Sequence, residues 1–471
     1  MVDYVLTNGQ DVLTGTSGDD RFFANDASFN PGDVLDGAGG FDVFKLFLAD
    51  FTALGASFAG FEMHNIERFE VTNDKAGGAV SSTVTFDMSG VFGLQELASI
   101  NSSSPITWTQ LTSLVSIDLI NTTDVGDTDV QVFFQNAVVA GGNDTVDVNV
   151  DGTDVDLVRI GSIADNDGGI ETVNLTAIGG MTSIETIDTD LTTLNIFGAG
   201  DIEIVDPLNT TVRFIDATGQ AGDLTISFLN NGVGQGVVFD GSQGNNDMQA
   251  GAGSDTITTF DGDDIIRGGQ GNNVIDAGDG MNVITAGVGN DNVTAGSGAD
   301  NVQIDGGNNF VDVNDGENTV ITGGGNDTIL GGDDIDRFNS GAGNDSLSGF
   351  GGNDIFTNTT GEDTLIGGAG DDIFQFTTGS FGLDAGNNGP SDPRDFIDGQ
   401  SGLDTIRTDA LNGIPTDDNA RLENVFRVER IVFTSAGDNY LGGFNAAPGQ
   451  DNAQAAGIRI SRIGGAEMGP L

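Results

Sequence analysis

The chain has no cysteine, one histidine, one tryptophan, two tyrosines and eight prolines in 471 residues. Without cysteine there is neither a disulfide framework nor a thiolate metal site. A single imidazole, His64, excludes any zinc centre built on two histidines. Basic residues are nearly as scarce: two lysines and thirteen arginines face sixty aspartates and twelve glutamates, a formal charge of −57. Such a chain has almost nothing with which to release counterions from phosphate, so nucleic acid and anionic lipid are excluded as partners. Its natural partner is a cation. No apolar run approaches the roughly 20 residues of a membrane span, and the opening "MVDYVLTNGQDVLTG" has neither a basic nor an apolar signal region. If the chain is exported, its address is expected to be something other than a cleavable N-terminal signal.

What is abundant is glycine, 75 residues, beside the aspartates. Asp with Gly is turn chemistry, and glycine at this density makes helices untenable. From Gly241 to Gln375 the sequence divides without a gap into fifteen nine-residue units of the form G-G-x-G-x-D-x-U-x, where U is a large apolar residue. Position eight is apolar in every unit, and position four is Gly in all but one, where Asp334 stands. Each unit reads as a Gly-rich turn followed by a short strand with one inward side chain. A single unit cannot bury that residue, so the units must stack, two per turn of a coil, with parallel strands about 4.8 Å apart. The expected fold is all-β: a parallel β-solenoid, with a β-roll over 241–375 joined to a larger right-handed β-helix-like region.

The same unit recurs as "LTNGQDVLT" at Leu6, "GTSGDDRFF" at Gly15 and "GAGGFDVFK" at Gly37, giving an N-terminal segment 1–49 with Asp11, Asp20 and Asp42 at position six. Between 50 and 240 the beat is lost, but "NIERFEVTN", "GIETVNLTA" and "SIETIDTDL" alternate apolar and polar residues as strands do. They are expected to be rungs of a parallel β-helix, with a β-sandwich as the alternative. In 376–471, "DAGNNGPSDPRD" reads as an insertion loop, "GQSGLDTIR" restores one unit with Asp404, "FRVERIVFTSAGDN" adds closing strands, and the remainder is a cap or tail.

Position six forms two columns because successive units face opposite sides. One column runs Asn246, Asp264, Asn282, Asp300, Asn318, Asp336, Asp354, Asp372; the other runs Asp255, Asn273, Asp291, Asn309, Asp327, Asp345, Asp363. One aspartate at a turn is ordinarily a solvated cap, but a strict column is a different object. Carboxylates stacked about 4.8 Å apart repel by roughly 1 kcal/mol in water and about 3.5 kcal/mol at a surface dielectric near 20. A Ca²⁺ ion takes six to eight oxygens and accepts the carbonyls that Gly turns expose, so an ion held between residues i and i+18 relieves the repulsion. Asn lowers the charge while its oxygen still serves calcium, so two classes of site are expected: weaker mixed sites from 246 to 327 and tighter all-Asp sites from 327 to 372.

The array resembles the calcium-binding β-roll of the repeats-in-toxin proteins. That resemblance implies calcium-driven folding outside the cell after type I secretion with an uncleaved C-terminal signal. The "IETVNLTA" phrases and the opening repeats look like bacterial surface-layer and related surface proteins. This second resemblance implies a self-assembling calcium-dependent coat, a homo-oligomeric sheet or filament, with lipopolysaccharide or another cell-surface polysaccharide as the expected anchor.

An enzyme reading has little to stand on. A Ser-His-Asp triad would need His64, the tyrosines are Tyr4 and Tyr440, outside the middle region, and carboxylate pairs can be drawn anywhere among sixty aspartates. Trp108 is either a sugar platform or a core residue. The expectation is a secreted, non-enzymatic, calcium-dependent structural protein, with a calcium-dependent adhesin or polysaccharide-binding protein as the alternative.

Overall fold

The computed structural model describes residues 1–48, 57–73, 83–123, 129–164, 168–229, 234–358, 360–376, 395–408, 425–433 and 459–462. The stretch read as an insertion loop, apart from Asp395, and the C-terminal nine residues lie outside them. Two compact units are present, Met1–Gly251 and Ala252–Leu471. Each is a parallel β-solenoid.

In the first unit one stack of parallel strands begins with Asp3–Val5, Arg21–Asn25, Val43–Leu48 and Arg68–Asn73. It continues without a break through Glu96–Ile100, Ser116–Ile120, Thr145–Asp151, Thr172–Ala177, Thr193–Gly198, Phe214–Gln220 and Val238–Asp240. The repeats at Gly15 and Gly37 and the middle region therefore share one sheet, while Val12–Thr14 of the first repeat pairs with Val34–Asp36 in a separate four-stranded sheet. The coil size varies: Leu97 faces Ile117, twenty residues on, whereas Ile117 faces Val148, thirty-one on. Every pairing given for the middle region is parallel, which removes the β-sandwich alternative, since sandwiches are built from antiparallel sheets.

Strand Thr145–Asp151 shows why these segments fold as they do. Its sequence T-V-D-V-N-V-D has period two, and Val146, Val148 and Val150 are each at most 1% exposed while their neighbours face out. Near the N-terminus the core is aromatic: Phe44 stacks on Phe69 at 5.1 Å, and Phe86 on Trp108 at 6.4 Å. Trp108 is completely buried, so it is a core residue and not a sugar platform.

The second unit is more regular. Thr256, Val274, Asn292, Phe310, Thr328, Ser346 and Thr364 are successive register partners, eighteen residues apart, on one face. Ile265, Val283, Asn301, Thr319, Arg337, Ile355 and Ile373 do the same on the other. The position-eight residues from Ile257 to Phe374 are all at most 1% exposed, forming the thin core that the nine-residue beat requires. After Thr364 the next partner is Phe396, thirty-two residues on, so the extra chain enters a single turn without moving the register.

Candidate metal centre

The position-six side chains point inward at the turns. From Asp255 to Asp372 each residue is at most 3% exposed. Each backbone N–H in this column donates to the Oδ1 of the residue one rung further on. Asp264 donates to Asn282 at 3.1 Å, Asn282 to Asp300 at 2.8 Å, Asp300 to Asn318 at 2.8 Å, and Asn318 to Asp336 at 2.9 Å. Asp336 then donates to Asp354 at 2.8 Å, Asp354 to Asp372 at 2.9 Å, and Asp372 to Asp404 at 2.9 Å. The other column repeats this from Asp255 through Asn273, Asp291, Asn309, Asp327, Asp345 and Asp363 to Asp395. The structure thus brings together, at i and i+18, the pairs that the sequence placed in one column.

One oxygen of each carboxylate is used by the ladder. The other differs between aspartates. Oδ2 of Asp42, Asp291, Asp300, Asp327, Asp354, Asp372 and Asp404 is buried and has no hydrogen-bond partner. A buried carboxylate oxygen without a donor is costly, which is why such groups either pair, bind metal or take up a proton. Burial pushes the carboxyls of Asp291, Asp300, Asp336, Asp345 and Asp372 up to about 6. It pushes Asp395 and Asp404 up to about 7, and Asp354, which also feels Asp372 and Asp336, up to about 8.

These oxygens converge with carbonyls. A Cβ built on Gly349 would fall closer than 3.0 Å to both Asp354 Oδ2 and the Gly367 carbonyl; one built on Gly367 would meet Asp372 Oδ2 and the Gly399 carbonyl in the same way. Each cradle is thus lined by a carboxylate oxygen from one rung and a carbonyl oxygen from the next. Among the described residues no three His, Asp or Glu side chains converge, so a cation here would rely on backbone carbonyls beside one or two carboxylates. Calcium accepts such a donor set; zinc favours N and S ligands. The orphaned oxygens and the cradles fit a calcium ion.

The asparagines bond to their turns through the amide. The Oδ1 of Asn273, Asn282, Asn309 and Asn318 takes the preceding rung's N–H, and that of Asn246 takes the Ser242 N–H at 2.8 Å, which fixes the amide orientation and leaves Nδ2 facing the turn. Asn246 Nδ2 donates to the Gly244 carbonyl at 2.9 Å, Asn273 to Gly271 at 3.4 Å, and Asn282 to Gly278 at 3.2 Å and Ala295 at 3.1 Å. Asn309 donates to Gly307 at 3.1 Å and to Asp327 Oδ1 at 2.9 Å, and Asn318 to Gly316 at 2.9 Å. The amide hydrogens occupy turn carbonyls of the kind that line the aspartate cradles. A cation at an Asn rung has to displace them.

Two of the N-terminal candidates are likewise satisfied. Asp11 accepts from the N–H of Thr7 at 2.7 Å and from its hydroxyl at 3.0 Å. Asp20 accepts from the Thr16 hydroxyl at 2.8 Å, and the Thr16 N–H above all holds its carboxyl below the usual range. Asp42 lacks such a donor, and burial raises it.

Two features escaped the sequence reading. Position five carries a second, exposed ladder running the opposite way: Asn272, Asn290, Asn308 and Asn326 each accept the N–H of the residue eighteen further on, at 2.7 to 2.8 Å. An Asn every eighteen residues from 272 to 344 was the available signal. The other is Asp144, within "AGGNDTVDV", a lone unit in the region where the beat seemed lost; its N–H donates to Glu171 Oε2 at 2.8 Å. His64 stacks on Phe92, with Nε2 3.7 Å from Glu62.

Comparison with known families agrees with this geometry. The RTX calcium-binding nonapeptide repeat family matches residues 6–28 and six overlapping stretches between 240 and 379. The chain carries RTX calcium-binding repeats. No curated protein matches it.

Proposed function

We propose that this is an extracellular, non-enzymatic structural protein whose solenoid is folded and stiffened by calcium and which assembles with copies of itself into a sheet or filament at a cell surface. The observation that carries the reading is the buried ladder of carboxylates with unpartnered oxygens in a chain of net charge −57. Asp291, Asp300, Asp327, Asp345, Asp354, Asp372 and Asp404 are the residues that would hold the ions, with turn carbonyls such as that of Gly367. Bound calcium supplies positive charge and oxygen coordination where the fold leaves both unmet. Exposed Phe92, Phe197 and Phe214, each at least 38% accessible, favour a second reading as a surface protein that binds polysaccharide.

Calcium titrated into chelated protein at pH 8 is expected to produce a large cooperative gain of β-structure by circular dichroism, because binding and folding are one event. A chain whose spectrum calcium leaves unchanged would rule the mechanism out. Negative-stain microscopy of the calcium form separates the two readings: ordered sheets or filaments support assembly, and monomers that retain on glycan resin support polysaccharide binding.

The Asn rungs give a further expected result. Asn309→Asp with Asn318→Asp replaces amide donors with buried carboxylates, and should destabilise the metal-free protein by about 1–3 kcal/mol per site. It should also raise the number of bound calcium ions, read by calorimetry. An unchanged ion count together with unchanged metal-free stability would show that the amides are not acting as internal substitutes for the cation.

A further inference from the structure

Both units contain the same ladder ending. In the first, Asp42 N–H donates to Glu67 Oε2 at 2.8 Å; in the second, Asp404 N–H donates to Glu429 Oε2 at 2.9 Å, and in each case the Glu lies twenty-five residues on. Glutamate replaces aspartate where the nine-residue beat stops. Two residues before each Glu the chain turns left-handed at a non-glycine, Asn65 with φ 51° and Arg427 with φ 48°, and between them Ile66 and Val428 are buried. The side chain of each left-handed residue is tied to the Asp that precedes the turn glycine: Asn65 Nδ2 to Asp36 Oδ1 at 2.8 Å, and the Arg427 guanidinium to the Asp398 carboxylate.

This arrangement aims a carbonyl. A Cβ on Gly37 would fall closer than 3.0 Å to the Asn65 carbonyl and to Asp42 Oδ2, and one on Gly399 would meet the Arg427 carbonyl and Asp404 Oδ2 in the same way. Asp42 and Asp404 are both fully buried, and Oδ2 of each has no partner. A left-handed non-glycine backbone costs of order 1 kcal/mol or more and persists where its surroundings impose it. Here its effect is to turn a carbonyl toward an orphaned carboxylate oxygen.

The geometry points to Glu67 and Glu429 as further calcium ligands, at the position-six aspartates Asp42 and Asp404 that end each ladder. One site is formed by Asp42, Glu67 and the Asn65 carbonyl, the other by Asp404, Glu429 and the Arg427 carbonyl. Each pairs two carboxylates, the charge one divalent ion neutralises, and each ends its ladder where no further Asp rung follows. Their role is to close the column: the Glu rung supplies the last acceptor and the ion joins the regular coil to the wider turns beyond. Both sites lie outside residues 6–28 and 240–379, the stretches that match the repeat family. The inference rests on the calcium reading above.

The test is the number of ions bound by the full chain, measured by equilibrium dialysis and calorimetry, in wild type, Glu67→Gln, Glu429→Gln and the double variant. Glutamine keeps an acceptor for the Asp N–H and the side-chain volume, so the ladder survives while the charge is lost. Each single variant is expected to bind one ion fewer, or to hold that ion at least about tenfold more weakly, with two lost in the double variant. Wild-type stoichiometry and affinities in all variants overturn the inference and leave the calcium mechanism standing; a wild type that binds no calcium overturns both. Should a variant lose its β-structure, anomalous diffraction from the terbium-loaded wild type decides. Peaks between Asp42 Oδ2 and the Asn65 carbonyl and between Asp404 Oδ2 and the Arg427 carbonyl support the sites, and peaks confined to the cradles from Asp255 to Asp372 overturn them.

Discussion

Without calcium, the protein should be more stable at pH 5 than at pH 8, and with calcium the order should reverse. The carboxyls of Asp291, Asp300, Asp336, Asp345 and Asp372 stand at about 6 in the fold, and that of Asp354 at about 8, against 3.8 ordinarily. A carboxyl raised in the folded state binds its proton more tightly there than in the unfolded chain. Between pH 3.8 and the raised value the fold therefore holds more protons, and stability falls as pH rises. A carboxyl at about 6 accounts for about 3 kcal/mol across that window, and the whole set for less than the sum because neighbouring rungs are coupled. The destabilisation is nearly complete at pH 8, where of this set only the Asp354 carboxyl, at about 8, still holds part of its proton.

Calcium inverts the sign because it requires the deprotonated form, so protons compete with it as pH falls. Urea midpoints at pH 5, 6, 7 and 8 with calcium, and with chelator at each pH where the chelated protein retains β-structure, are the measurement. Salt at about 0.15 M limits the reach of exposed charges to roughly 8 Å, so the dependence that remains reports mainly the buried ladder. A metal-free protein whose midpoint rises with pH would contradict the burial of these carboxylates.

Gly343→Ala should be among the most damaging single changes available, with a loss of more than about 3 kcal/mol. Gly343 has φ 143°, a conformation essentially confined to glycine, and its Cβ would fall closer than 3.0 Å to the Gly325 carbonyl one rung away. Neither rung can yield easily, because Gly343 N–H is bonded to Thr360 and Gly325 N–H to Ala342, both at 2.8 to 2.9 Å. Gly324→Ala is the matched control. Its Cβ would meet nothing nearer than the Ala342 carbonyl at 3.7 Å, in ordinary contact. The two variants, compared by calcium-dependent folding and urea denaturation, should differ by the full penalty. Equal stability would mean that the turn adapts and that position four is not fixed by inter-rung crowding.

The one exception at position four, Asp334, is consistent with this reasoning, since it does not take a positive φ. The neighbouring rung feels it: a Cβ on Gly352 would crowd the Asp334 carbonyl. Substituting a non-glycine at this position is therefore tolerable only where the turn itself changes conformation.

The nine-residue beat alone determined the parallel stack in the array, the two columns and which residue faces the core, because a fixed period with one inward residue has a single way of burying it. Ile257 to Phe374 lie where that logic puts them. Parallel coiling of 50–240 was expected only from looser phrases, because its turns vary from twenty to thirty-one residues and no fixed period marks them. Position six was legible as a column but not in its chemistry. Only the tertiary structure decided that Oδ1 is consumed by the rung before, that the Asn amides fill turn carbonyls, and that Thr7 and Thr16 quieten Asp11 and Asp20. It also decided that Glu67, Glu171 and Glu429, read as a different phrase, meet an Asp rung. Each of these depends on atoms of adjacent rungs meeting within about 3 Å, as a hydrogen bond requires, and sequence spacing fixes which rungs are adjacent without fixing which atoms meet.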